Sequence, residues 1–145
     1  MIALIQRVTE ASVAVDGETV AAIGPGILAL VAAEPDDDDK RAARLAERVL
    51  SYRIFADDSG RMNQSAADTG HAVLAVPQFT LAADTRRGNR PGFSTACPPD
   101  RARELFGRFV ATLTSRHDRI DQGIFGADMQ VALVNDGPVT FWLQA

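Results

Sequence analysis

The chain opens with alternation. From Ile2 to Val8 two faces interleave, Ile2, Leu4, Gln6 and Val8 against Ala3, Ile5 and Arg7, which predicts a strand with apolar character on both sides. Residues 11–15 and 19–23 flank Asp16-Gly17, a pair that tolerates the positive φ a two-residue hairpin turn requires. Gly24-Pro25-Gly26 interrupts the pattern, and residues 27–33 are a nearly continuous apolar run, expected of a strand covered on both faces. The period then lengthens. Pro35 and the aspartates 36–39 precede Ala43, Leu45, Ala46, Val49 and Leu50, a helical spacing that ends near Tyr52. Carboxylates in a first turn oppose the helix's positive end, so the aspartates read as a helix start. A metal site is the alternative, although adjacent aspartates on a helix fan out instead of converging.

Residues 53–55 read as a short strand, 57–60 as a turn and 71–79 as a strand whose donors Pro77 interrupts. Residues 81–99 have no periodicity, and so long a loop inside a compact domain is usually functional or mobile. Pro98-Pro99-Asp100 opens a second helix, with Ala102, Leu105, Phe106, Phe109, Val110 and Leu113 on one stripe. Residues 129–134 and 139–143 are two further strands joined by Asn135-Asp136-Gly137-Pro138. The expectation is one mixed α/β domain over residues 1–145, with seven or eight strands in a sheet or barrel-like core and two main helices.

Composition narrows the function classes. Hydrophobic residues are 46% and charged residues 23%, an ordinary globular balance. The single cysteine, Cys97, excludes an internal disulfide and suits a reducing cytoplasm. No apolar run approaches a membrane span, and the first residues lack the pattern of a signal peptide, so a cytoplasmic location is expected. A net charge of −4 argues against a generic nucleic-acid binder, and no DNA partner is expected.

Candidate chemistry is sparse. A hydroxyl or thiol nucleophile needs an oriented base, yet only His71 and His117 exist and neither sits in a nucleophile elbow. Both read as structural or surface residues, and Cys97, beside two prolines, as inert. The ligands of a zinc site and the glycine-rich loops of nucleotide sites are missing, so no metal or cofactor is expected. Two segments remain. Gln78-Phe79-Thr80-Leu81 ends a strand at the long loop, where Thr80 is either a nucleophile or a strand-terminal hydroxyl. Gly137-Pro138 is either a plain hairpin turn or a cis peptide, in which two carbonyls face one side and suit a ligand ammonium. Arg86, Arg87 and Arg90 concentrate charge in the loop, with Arg101 and Arg103 nearby. They form either a solvated face or a phosphate contact.

Together these segments resemble the D-aminoacyl-tRNA deacylase family over essentially the whole chain. The resemblance runs through Ala3-Leu4-Ile5-Gln6-Arg7-Val8, Arg53-Ile54-Phe55, Met62-Asn63, Gln78-Phe79-Thr80-Leu81, Ala83-Asp84-Thr85-Arg86 and Arg90-Pro91. Its most specific part is Phe125-Gly126-Ala127-Asp128-Met129-Gln130-Val131 followed by Leu133-Val134-Asn135-Asp136-Gly137-Pro138-Val139-Thr140. One departure stands out. The family often has serine before the Gln-Phe-Thr motif, and Pro77 stands there in this chain, so no serine hydroxyl acts at that position.

The resemblance implies a homodimer in which each subunit inserts its Gly137-Pro138 turn into its partner's pocket as a chiral filter, with Arg7 holding the turn and Met129 joining the binding residues. It implies that Gln78, Phe79 and Thr80 line the catalytic pocket, and that the substrate is a mischarged aminoacyl-tRNA, with glycyl-tRNA a further target. Arg86, Arg87 and Arg90 then become tRNA contacts. The lack of a catalytic histidine fits hydrolysis assisted by the substrate's 2′-hydroxyl and by backbone donors near Phe79 and Thr80. Rival readings are a dimeric RNA- or nucleotide-binding module without catalysis, and a small esterase that uses Thr80.

Overall fold

A computed structural model describes residues 1–86, 88–94 and 96–145. Its spine is β1 (Ile2–Val15), one unbroken strand where the pattern suggested two. Thr9 and Glu10 point to solvent without ending it, because a partner strand pairs with both halves. On one edge the first half pairs antiparallel with β3 (Gly26–Ala32), from Ile2↔Ala32 to Val8↔Gly26. The second half pairs with β2 (Glu18–Ile23) across the Asp16-Gly17 turn, where both residues have positive φ as the hairpin requires.

β8 (Gln130–Gln144) covers the other edge of β1, from Ala14↔Gln130 to Ile2↔Gln144. The register jumps from Val8↔Asn135 to Gln6↔Thr140, so residues 136–139 stand out of the ladder. The two terminal strands expected from the sequence are therefore one long strand interrupted by a protruding turn. Beyond β3 lie β6 (Ala72–Pro77) and β7 (Ile120–Gln122), both parallel to their neighbours. The Ala22 amide donates to Asp121 Oδ2 at 3.0 Å, drawing β2 toward β7 and nearly closing the sheet into a barrel. Gly26 is needed where β3 meets β6, since a Cβ there would lie 2.2 Å from the Ala72 carbonyl oxygen.

α1 (Asp39–Ser51) and α3 (Pro99–Arg116) pack together over one face of the sheet and bury the apolar stripes expected of them. The aspartates ahead of α1 divide their work. Asp38 caps the helix by accepting from the Arg41 amide at 2.8 Å, while buried Asp37 lies 2.6 Å from the Met1 ammonium. A third helix, α2 (Ala66–Thr69), raises the expected two to three; it is a single turn closed by a Ser65–Asp68 capping box. β4 (Phe55–Ala56) and β5 (Met62–Gln64) form a small separate ladder. On the sheet's opposite face Val8, Val13, Leu28, Leu74 and Val76 form a second core, which explains why β1 and β3 are apolar on both sides. No helix among the described residues is long and apolar enough to cross a membrane.

Candidate active site

The strand expected over residues 71–79 stops at Pro77, which has no amide to extend the ladder. The Gln78 amide still donates to the Val31 carbonyl at 2.7 Å, and the chain then winds into a 3-10 turn, Phe79–Ala82. This change of direction opens a cleft of about 440 Å³ beyond the end of β6. Val76, Pro77, Gln78 and Phe79 form one wall; Cys97, Pro99 and Ala102, at the start of α3, form another; Phe125, Gly126, Ala127, Met129 and Val131 complete it. None of these lining residues is an acid or a histidine, so the chemistry of the cleft rests on apolar contact, an amide side chain and backbone groups. The amides of Phe79 and Thr80 open the 3-10 turn, where the first N–H groups have no acceptor within the helix.

Gln78, Phe79 and Met129 thus meet in one place. Thr80 is exposed beside them, and its hydroxyl accepts a hydrogen bond from the Gln78 side-chain amide. An amide is no base, so this contact does not activate Thr80 as a nucleophile. Cys97 sits buried in the cleft wall with its thiol pKa raised, first by desolvation and then by Asp37, in keeping with an inert thiol. The sequence singled out neither Phe125 nor Cys97 for this wall. Three segments far apart in the chain supply it, and no local pattern announces such a meeting.

Gly137 and Pro138 do not line this cleft. They form the protruding turn of β8, with a cis peptide bond between them. Arg7, half-buried on β1, grips the base of the turn: its Nε donates to the Asp136 carbonyl at 3.0 Å and faces Asp136 Oδ2 at 3.2 Å, while Nη1 donates to the Ile54 carbonyl at 2.7 Å. Asn135 braces the turn from inside, accepting from the Val139 amide at 2.7 Å. Gly137 has a φ of 147°, and a Cβ there would lie 2.6 Å from Val139 Cγ2. The turn is therefore a rigid projection anchored at its base and open at its tip.

The arginines of the long loop divide. Arg86 pairs with Asp84 through Nε and Nη2, at 2.9 and 3.2 Å, and its hydrogen bonds hold the Asp84 carboxyl down at about 2. Arg90 is exposed, and Arg87 lies outside the described residues. Reciprocal hydrogen bonds between the backbones of Asp84 and Gly92 tie the loop into a small closed unit. The histidines lie away from the cleft lining. The His71 ring stacks on Phe55 at 4.4 Å, and desolvation, followed by the Arg119 charge, pushes its pKa below the ordinary value. His117 Nε2 contacts the His71 carbonyl at 2.8 Å.

Comparison with known proteins decides the family. A sequence model described as D-Tyr-tRNA(Tyr) deacylase matches residues 4–144. The chain belongs to that family. It is 60% identical to a D-aminoacyl-tRNA deacylase of Xanthomonas axonopodis pv. citri over 99% of both chains. Against the enzyme of the same name from Thioalkalivibrio sulfidiphilus it is 59% identical, covering 99% of this chain and 97% of that one. Among solved structures it resembles a c-Myc DNA Unwinding Element Binding Protein at a TM-score of 0.95 and 39% identity, covering 100% of this chain and 99% of that chain. The relatives named as deacylases are hydrolases of the aminoacyl-tRNA ester bond, and in this chain Gln78 and Phe79 line the cleft with Thr80 beside them.

Proposed function

We propose that this chain hydrolyses the ester of D-aminoacyl-tRNA, releasing the D-amino acid and a tRNA with a free 3′ end. The observation that carries this reading is the cleft itself, lined by Gln78, Phe79 and Met129 beside the start of a 3-10 turn, with no acid–base pair among its lining residues. In such a site the amides of Phe79 and Thr80 polarise the ester carbonyl, and water attacks it. The vicinal 2′-hydroxyl of the terminal ribose assists the water or the departing 3′ oxygen. A substrate ending in 2′-deoxyadenosine and aminoacylated on its 3′ oxygen then reacts far more slowly; cleavage at the normal rate would exclude this assistance.

Handedness is read by the Gly137-Pro138 turn of a second subunit. Its carbonyls accept from the α-ammonium of a D-residue and leave no room for an L side chain. Side-chain fit alone separates similar substrates by only about 1–3 kcal/mol, whereas an unpaired buried ammonium costs more than a misfitted methylene. Three features support the homodimer. The turn lies away from its own chain's cleft, the outer edge of β8 has no partner strand among the described residues, and Val134 and Trp142 on β8 are about half exposed. Glycyl-tRNA, which has no side chain to exclude, is a further substrate of the same site. A substrate drawn from translation places the protein in the cytoplasm, where it removes mischarged residues.

The deciding experiment is release of labelled tyrosine from D-tyrosyl-tRNA and L-tyrosyl-tRNA side by side. Release from the D form alone supports the proposal. Release from neither favours a non-catalytic RNA- or nucleotide-binding module, and release from both removes the turn as the filter. Thr80→Ala tests the esterase reading, because a nucleophile's loss abolishes activity while a backbone-driven site keeps much of its rate.

A further inference from the structure

Two residues flank the mouth of the cleft without lining it. Phe93, the residue that follows the Asp84–Gly92 closure, leans on Phe79 with ring centroids 5.2 Å apart. Phe79 and Phe93 are 57% and 40% exposed, so an aromatic surface faces solvent beside the site. From another wall Arg103, on the first turns of α3, lays its guanidinium over the Phe125 ring at 4.7 Å from the centroid. Two other arginines are paired: Arg101 with Asp39 and Glu104, and Arg86 with Asp84. No carboxylate pairs with Arg103 among the described residues. The mouth thus offers a π-face through Phe79 and Phe93 and a held, uncompensated cation through Phe125.

Resting on the deacylase reading, we infer that Phe93 and Arg103 bind the unpaired nucleotide that precedes the terminal adenosine, with its base stacked on Phe93 and a backbone phosphate at Arg103. The chemistry is that of single-stranded RNA. Unpaired bases stack on aromatic rings with little regard to identity, and a guanidinium matches the paired oxygens of a phosphate. An enzyme that serves many tRNAs gains from such contacts, because their shared single-stranded end is read without their differing helices. The acidic total charge is compatible with this, since one local cation and one ring suffice.

The test compares a substrate that carries this nucleotide with one that ends at the terminal nucleoside: D-tyrosyl-tRNA and D-tyrosyl-adenosine. Stacking on protein aromatics contributes about 1–3 kcal/mol per base, so Phe93→Ala raises the KM for the tRNA about tenfold with kcat nearly retained. Phe93→Trp restores the KM. Arg103→Ala also raises the KM for the tRNA, lowers its salt dependence and is partly rescued by Arg103→Lys. For D-tyrosyl-adenosine both KM increases are several-fold smaller. Equal losses on the two substrates, or no loss on either, would overturn the inference. A wild-type protein inactive on both would instead overturn the deacylase reading on which it rests. A changed sedimentation coefficient for Phe93→Ala would assign the aromatic surface to a subunit interface and also overturn it.

Discussion

At the scale of single residues, the turn between Asn135 and Thr140 carries the sharpest consequences. A methyl group at Gly137 meets Val139 Cγ2 at 2.6 Å and the Val139 nitrogen at 2.9 Å, in a backbone conformation that L side chains rarely adopt. Gly137→Ala therefore displaces the tip. Because the tip is exposed, the melting temperature changes little while hydrolysis of D-tyrosyl-tRNA falls at least tenfold; parallel melting and rate measurements separate the two. His71 behaves differently. Its ring Nδ1 is buried without a partner among the described residues and its pKa is depressed, so the folded state favours neutral imidazole. An unfolded histidine titrates near 6.5, so stability is full above about pH 6.5 and declines as the pH falls through the lowered folded value. Denaturant midpoints at pH 7.5 and 5 will drop more for the wild type than for His71→Phe, and equal drops would clear His71 as the cause. The sequence marked Gly137 and Pro138 because their chemistry is local. It passed over Phe93 and named Arg103 only as one more arginine near the loop, because the importance of both depends on what faces them.

At the scale of elements, strands and long helices were legible because their burial repeats along the chain. The stripe of α3 and the double-sided character of β3 are both read from spacing alone. The short pieces were not. β7 has three residues and α2 four, too few for a period to establish itself, and each exists because a neighbour or a cap supports it. Likewise the strand of residues 71–79 broke early, since Pro77 outweighed the apolar pattern. The β3–β6 seam has no room for a side chain at Gly26. Gly26→Ala drives a methyl into the Ala72 carbonyl at 2.2 Å, between strands fixed on both faces. Such overpacking costs about 1–3 kcal/mol, and urea unfolding will show it as a lower midpoint at an unchanged slope.

At the scale of the whole molecule, the proposed site is split between cleft and turn, and subunit mixing tests the split. In the proposed homodimer Ala127→Trp fills the cleft and Gly137→Ala spoils the turn, so each variant alone is impaired. A mixed dimer holds one site made of an intact cleft and an intact turn, and activity will return when the two variants are exchanged. Failure to complement, with exchange verified by mass, would place the turn and its cleft in the same subunit or outside catalysis altogether. The long pairing of β1 with β8 has a separate consequence, for the time the chain takes to fold. Ala3 meets Leu143 and Val13 meets Val131, so the spine of the sheet gains its second neighbour from the far end of the polypeptide. Contacts so remote in sequence form late and slowly, because much loop entropy is lost before any pairing compensates it. Until β8 arrives, one full edge of β1 is bare, and a newly made chain in that interval can be captured by another strand before it completes itself.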